Sequence, residues 1–229
     1  MSKADPKARL QFARRQHDQA LHTYQTLLNI KPDMKPDPRI GLGLCAWVMG
    51  DRERAVLSWE RALDLVSFAA LRTRVSIADK QDPESWVALL LLGLAALNNA
   101  REPSSGTANR VESAANGVTY VQRAFKLNNK CSAAALALST TAGLDGQLPM
   151  ASKLAERAIQ YADTKHHSVL ANAERGRLGF VAGDVADAGP FIAAAKAEDG
   201  GVNVIAELTL GQIALKNGQS ASRYTLTTR

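Results

Sequence analysis

A recurring spacing of small side chains is the feature that most constrains the fold of this chain. Gly43 is followed after twelve residues by Ala55, after four more by Trp59, and after three more by Ala62. The same intervals fit Ser139, Ala151, Ala155 and Ala158, then Gly176, Ala188, Ile192 and Ala195, and, without an opening Gly, Ala20, Tyr24 and Leu27. Recurrence at about 34 to 37 residues is typical of solenoids, in which each unit buries its apolar face only against its neighbours. The spacing therefore predicts a stack of helical hairpins.

The small residues have a packing reason within such a hairpin. Two antiparallel helices joined by a short turn approach closely only where small side chains meet, and a large side chain such as Trp59 fills the space beside the crossing. We expect this packing role for Gly43, Ala55, Trp59, Ala62, Gly93, Ala151, Ala158, Gly176, Ala188 and Gly211. The segment Gly41-Leu42-Gly43 resembles a dinucleotide-binding loop only superficially, because it has no third glycine and no preceding strand, and we expect its glycines to serve close helix packing instead.

The composition agrees with packed helices. Hydrophobic residues make up 46% of the 229 residues and aromatic residues only 5%. Abundant Ala and Leu with few aromatics favour closely packed helices over a β-sandwich. The predicted fold class is therefore an all-α solenoid of about five helical hairpins with two insertions.

We expect one array over residues 1–218. Residues 5–30 are predicted as helix, Gly50-Asp51 as a turn, and the polar stretch Arg101–Arg110 as a flexible loop. The predicted segments are hairpins at about 5–32, 37–66, 83–129, 131–163 and 168–198, a half hairpin at 203–218, insertions at about 66–81 and 100–116, and an irregular tail at 219–229. Neither end carries the polar cap that usually closes a solenoid, so we expect a piece of a longer array.

The formal net charge of +6 raises the question of nucleic-acid binding. Much of the excess positive charge lies in residues 1–31, which contain six Lys and Arg residues but only two acidic residues, Asp5 and Asp18. No aromatic-rich basic stripe accompanies them, so direct nucleic-acid contact is not expected. The longest apolar run, Trp86–Leu97, is too short to cross a bilayer, and no membrane association is expected.

No group of residues predicts catalysis, a cofactor or a metal. His166 and His167 are adjacent, so they point about 100° apart on a helix, and no Cys or carboxylate completes a site. Cys45 and Cys131 lie in apolar helical runs and are expected to be buried thiols, too few for a disulfide framework. We therefore expect a protein that is not an enzyme.

The repeat residues resemble the tetratricopeptide repeat, which has Gly or Ala in its first helix and Ala, an aromatic and Ala in its second. A narrower resemblance is to the tetratricopeptide scaffold subunits of the RNA polymerase II-associated factor (PAF) complex. It is carried by Lys35–Cys45 (KPDPRIGLGLC), Gly50–Ala55 (GDRERA), Trp59–Leu63 (WERAL), Ala88–Asn98 (ALLLLGLAALN) and Glu207–Ile213 (ELTLGQI). This resemblance implies a nuclear scaffold that binds other PAF subunits and the RNA polymerase II elongation machinery and acts in histone modification. The alternative is a peptide-binding adaptor unconnected with transcription.

By the same resemblance, the first helix of each hairpin would line a concave protein-binding groove. The implied lining residues are Ile40, Leu44, Trp47, Val48, Leu90, Leu94, Leu97, Asn98, Arg177 and Phe180. An exposed groove of this apolar character marks a protein contact, but the insertions or the next superhelical turn could equally cover it. Ile40 and Leu44 stand where chaperone-binding repeats need Lys and Asn to clamp a carboxylate, which argues against that class.

Overall fold

The computed structural model describes residues 4–32, 34, 36–72, 85–102, 106–198 and 203–216. Every regular element in these ranges is an α-helix. In chain order the helices are α1 (Ala4–Ala13), α2 (His17–Ile30), α3 (Pro38–Val48), α4 (Arg52–Arg72), α5 (Ser85–Arg101), α6 (Thr107–Leu127), α7 (Ser132–Leu144), α8 (Leu148–Gln160), α9 (Lys165–Val181), α10 (Val185–Glu198) and α11 (Val204–Lys216). The chain divides into two compact units, Met1–Leu127 and Asn128–Arg229.

Consecutive helices pair as hairpins in both units. In the first unit α1 packs on α2, α3 on α4 and α5 on α6, while α2–α3 and α4–α5 contacts join neighbouring hairpins. In the second unit α7 pairs with α8 and α9 with α10, and α11 contacts both α9 and α10. The predicted all-α class built from helical hairpins is confirmed.

Glycines at positive φ turn the chain between the helices of three hairpins. Gly50, Gly146 and Gly183 have φ of 89°, 75° and 89°, a region that glycine adopts without the Cβ penalty. At the first of these turns the N–H of Gly50 donates to the carbonyl of Trp47 at 3.1 Å, and the N–H of Asp51 donates to that of Ala46 at 2.9 Å. This pair of bonds is the Schellman arrangement, which satisfies the last carbonyls of the first helix.

The expectation of one helix over residues 5–30 is wrong. Helix α1 ends at Ala13 and α2 begins at His17, with Arg15 at φ 61° between them. The N–H of Arg15 donates to Phe12 and that of Gln16 to Gln11, both at 2.9 Å, so the turn repeats the bonds seen at the glycine turns. This turn could not be predicted from sequence, because a residue other than glycine occupies the left-handed position.

The expectation of a flexible loop over Arg101–Arg110 also needs correction. Helix α5 continues to Arg101 and α6 begins at Thr107, so residues 107–116 of the predicted insertion are helical. Residues 107–112 are exposed, including Val111, and the outer face of a helix has the same polar composition as a loop. Helix α4 continues to Arg72, beyond the predicted end of its hairpin at about residue 66. The rest of the predicted insertion at 66–81 and the tail at 219–229 lie outside the described residues.

Candidate protein-binding surfaces

The first helix of each hairpin is held against the second through the predicted small residues. A Cβ added to Gly43 would lie 2.7 Å from Cδ1 of Trp59, so only glycine fits there. The indole Nε1 of Trp59 donates to the carbonyl of Ile40 at 3.3 Å, which ties α4 to α3. Ala55, Trp59 and Ala62 are all buried, so this hairpin has the packing that the spacing predicts.

Two other hairpins, α5–α6 and α9–α10, repeat this contact with different side chains. A Cβ on Gly93 would lie 2.6 Å from Cγ2 of Val121, and one on Gly176 would lie 2.5 Å from Cγ1 of Ile192. Ala151, Ala158 and Ala188 are completely buried. Gly211 is different, because a Cβ there would meet no described atom within 4 Å, and its packing role stays a prediction.

A close approach that the spacing did not include joins two hairpins of the first unit. A Cβ on Gly41 would lie 2.6 Å from Cε1 of Tyr24, so α3 packs tightly on α2 as well as on α4. Gly41 and Gly43 are two residues apart and therefore face opposite sides of α3, one toward each neighbouring helix. We expect close helix packing for Gly41-Leu42-Gly43 from sequence, and the structure adds that Gly41 packs against Tyr24 of α2 and Gly43 against Trp59 of α4.

In the first unit, the predicted groove residues range from buried to exposed. Val48 of α3 is 53% exposed and Leu94 of α5 is 37% exposed, whereas Leu90 is only 7% exposed and offers little surface to a partner. Leu44 and Trp47 are partly buried against the cluster of Ala46, Ala55, Trp59, Leu92 and Ala95. Ile40, Leu97 and Asn98 are also half-buried.

The side chain of Trp47 packs against residues of its own hairpin. Its ring centroid lies 5.8 Å from that of Trp59, and the guanidinium of Arg52 lies 5.8 Å from the Trp47 ring. These contacts hold the half-buried ring against α4, so a partner that reaches it would meet a side chain that is already positioned. Such preorganisation lowers the entropy cost of binding.

In the second unit, the two predicted groove residues of α9 are both half-buried. Arg177 donates from Nε and Nη2 to the carboxylate of Glu174 at 2.8 and 2.7 Å, and these hydrogen bonds raise the pKa of Arg177 above its ordinary value. Phe180 packs against a core cluster that includes Ile192 and Ala206, with Nζ of Lys216 at 5.8 Å from its ring. Arg177 therefore presents a largely neutralised charge.

Sequence reasoning missed a charged cluster that joins three helices of the second unit. Arg175 of α9 is buried and donates to Glu156 of α8 at 3.0 Å and to Asp187 of α10 at 2.6 Å. Its guanidinium also lies 4.6 Å from the ring of Phe191. Burial opposes the charged form, but the two carboxylates outweigh it and raise the pKa of Arg175. The cluster therefore links α9 to both α8 and α10.

The residues considered for chemistry form no reactive site in the described ranges. Cys45 and Cys131 are buried free thiols, and burial raises the pKa of Cys45 to about 11. Nδ1 of His167 lies 2.6 Å from Oδ1 of Asp163, and this hydrogen bond lowers the pKa of Asp163. Among the described residues, no three His, Cys, Asp or Glu side chains come together as a metal site. None of the helices described has the length and apolar character needed to cross a membrane.

Comparison with known sequences gives partial matches. No family model matches the chain. RNA polymerase-associated protein CTR9 of Saccharomyces cerevisiae is 44% identical over 59 residues, covering 26% of this chain and 6% of that protein. Tetratricopeptide repeat protein 1 of Schizosaccharomyces pombe is 30% identical over 158 residues, covering 67% of this chain and 13% of that protein. Protein CTR9 homolog of Arabidopsis thaliana is 26% identical over 219 residues, covering 93% of this chain and 18% of that protein. The chain thus spans less than a fifth of the length of these curated relatives.

Solved structures with the same architecture are tetratricopeptide-repeat (TPR) proteins. TTC0263, a thermophilic TPR protein in Thermus thermophilus, matches with a TM-score of 0.62 at 14% identity, covering 92% of this chain and 96% of that one. YrrB, a TPR protein with an unusual peptide-binding site, matches with a TM-score of 0.53 at 17% identity, covering 89% and 88%. Together with the small-residue crossings, these matches identify the fold as a tetratricopeptide-repeat α-solenoid.

Proposed function

We propose that this chain is a noncatalytic scaffold that holds segments of partner proteins against the first helices of its hairpins. The partners we propose are subunits of the PAF complex and the RNA polymerase II elongation machinery, with a nuclear location and a role in transcription elongation and histone modification. The observation that carries this proposal is the 44% identity to RNA polymerase-associated protein CTR9 over 59 residues. The match at 26% identity to the Arabidopsis CTR9 homolog over 93% of the chain supports it.

The chemistry of three of the first helices, α3, α5 and α7, indicates what kind of segment they would hold. Helices α3 and α5 carry only Arg39 and Arg101 as charged residues, both near helix ends, and α7 carries none. Arg39 is already paired with Asp37 at 3.2 Å. Surfaces of this kind favour apolar or uncharged segments, recognised through many modest contacts and a few polar ones such as those Asn98 could make.

A peptide-binding adaptor unconnected with transcription is the second candidate. It is supported by the fold, since the chain is similar to TPR proteins of which one is described as having an unusual peptide-binding site. The two candidates use the same surface and differ in the partners that occupy it.

Purification of the tagged chain from native nuclei, followed by mass spectrometry, distinguishes them. We expect RNA polymerase II and PAF subunits to be enriched over a matched purification with an unrelated TPR array. Recovery of partners that include no polymerase or PAF subunit would favour the adaptor and contradict the first proposal.

A further inference from the structure

Helix α9 carries an ion pair at two repeat positions where three other first helices have small, apolar or uncharged residues. Glu174 and Arg177 lie two residues before and one residue after Gly176. The equivalent places hold Gly41 and Leu44 in α3, Leu91 and Leu94 in α5, and Ala137 and Thr140 in α7. Glu174 is only 4% exposed, and exchanging a buried ion pair for well-packed apolar residues is often neutral or stabilising. Stability alone therefore does not explain the pair.

Helix α7 departs from the repeat at the point where it meets Arg177. Gly143 lies four residues after Ser139, and the equivalent residues of the other first helices are large: Trp47, Leu97 and Phe180. A Cβ added to Gly143 would lie 3.1 Å from Nη2 of Arg177 and 2.9 Å from Cδ2 of Leu178. The guanidinium thus lies close to the backbone of α7, in space that a larger side chain would fill.

Glu174 holds the guanidinium of Arg177 by one edge. Nε donates to Oε2 of Glu174 at 2.8 Å, and Nη2 donates to Oε1 at 2.7 Å. A guanidinium has five N–H donors in a rigid plane, so Nη1 and the second hydrogen of Nη2 lie on the edges turned away from that carboxylate. The Arg177 side chain is 28% exposed. Glu174 therefore orients these remaining donors and offsets their charge.

We propose that Arg177 binds the carboxamide oxygen of an Asn or Gln in a mostly apolar segment of a partner protein. A neutral acceptor matches the pair because Glu174 and Arg177 together carry no net charge, whereas a carboxylate would be repelled by Glu174. Leu144 and Val181, which are 72% and 52% exposed at the ends of α7 and α9, offer apolar contact to the rest of the segment. The proposal rests on the proposed scaffold function and names the chemistry of a segment that the second unit would hold.

The test begins with a random peptide library displayed on phage. The library is first depleted on the double variant Glu174→Ala/Arg177→Thr and then selected on the full chain. This variant gives α9 the residues of α7 and leaves no unpaired buried charge. We expect the selected peptides to carry Asn or Gln among apolar residues. In fluorescence anisotropy titrations of a labelled peptide, replacing that residue by Leu should weaken binding at least about tenfold.

Two further chain variants separate recognition from folding. Arg177→Lys keeps the charge beside Glu174 but lacks the planar set of donors, so it should weaken binding of the Asn or Gln peptide by a similar factor. The matched control is Lys196→Thr/Glu207→Ala, which removes a 2.7 Å ion pair between α10 and α11 and should bind as the wild type does. Circular dichroism and urea unfolding check each variant, and the Glu174→Ala/Arg177→Thr chain should unfold no more easily than the wild type.

Any of four results would overturn the proposal. Two are the failure of any peptide to survive depletion with saturable binding, and equal affinity of the Leu-substituted peptide. A third is a selected set that depends on Asp or Glu, which would assign the arginine to a carboxylate. The fourth is wild-type affinity in a folded Arg177→Lys chain. The assay contains no nuclear protein, so it can fail while PAF subunits are still recovered, and it can succeed when they are not.

Discussion

The hydroxyl of Ser139 donates a 2.8 Å hydrogen bond to the backbone carbonyl of Ala151, across the crossing of α7 and α8. Both residues are completely buried. A second serine in the same hairpin, Ser132, donates to the carbonyl of Ala158 at 2.8 Å. Side chains this short reach a neighbouring backbone only when two helices are very close, so these bonds measure the approach that the repeat spacing predicts.

The crossings are complementary in volume. Where the first helix has glycine, the second helix presents a larger side chain, as Gly43 does with Trp59 and Gly176 with Ile192. Where the first helix has Ser139, the residue at the matching place of the second helix is the smaller Ala155. A larger residue on the first helix is thus matched by a smaller one on the second, as a close-packed interior requires.

Filling the Gly43 position should destabilise the first unit. Gly43→Leu forces the added atoms into the Trp59 ring, and overpacking of this kind costs about 1–3 kcal/mol. Urea unfolding measures the free energy of unfolding, with Gly189→Leu as the control because its added side chain meets open space. A soluble Gly43→Leu protein with unchanged unfolding free energy would contradict the close crossing.

Removing the Ser139 hydroxyl should have a smaller effect. Ser139→Ala loses one buried hydrogen bond and is expected to lower the free energy of unfolding by about 1 kcal/mol. Ser58→Ala is a suitable control, because the exposed Ser58 hydroxyl donates to the carbonyl of Arg54 in its own helix. Equal losses in the two variants would show that the contact between α7 and α8 adds nothing beyond local helix effects.

Replacing Arg15 by glycine should stabilise the chain. Arg15 is the one described residue other than glycine with positive φ, and the left-handed conformation costs such a residue about 1–2 kcal/mol. Glycine loses part of that gain through the greater freedom of the unfolded chain, so we expect a net increase of about 1 kcal/mol. Thermal unfolding tests this against Gly146→Ala, which should lower the melting temperature. A fall for Arg15→Gly would refute the assignment of the turn.

The buried thiols make stability fall at high pH. The pKa of Cys45 is raised by burial from its ordinary value of 9.0 to about 11, so the folded state holds its proton more tightly than the unfolded state. The resulting stabilisation is complete below pH 9 and is lost as the pH rises toward 11. In the native state at pH 8, Cys45 and Cys131 should react slowly with a disulfide reagent, and both should react promptly in guanidinium. A thiol that reacts at the unfolded rate in native protein would contradict their burial.

Much of the hairpin architecture could be predicted from sequence because its cause is local. The spacing of Gly43, Ala55 and Trp59 follows from a contact between two helices that are adjacent in the chain. The break at Arg15 could not be predicted, since its cause is a backbone conformation that the residue type disfavours. The bonds from Arg175 to Glu156 and Asp187 were also missed, because they join residues nineteen and twelve positions apart on three helices. Which groove residues are exposed depends on neighbouring hairpins, and Leu90 shows that repeat position alone does not decide it.

The most direct test of the scaffold account compares two exposed leucines of the first unit in the nuclear purification. Leu94 lies on a first hairpin helix, whereas Leu57, which is 57% exposed, lies on a second one. Partner recovery is measured by quantitative mass spectrometry for Leu94→Glu and Leu57→Glu, both checked for folding. The account predicts that Leu94→Glu loses most of the recovered partners while Leu57→Glu keeps them. Full retention by a folded Leu94→Glu protein would contradict it.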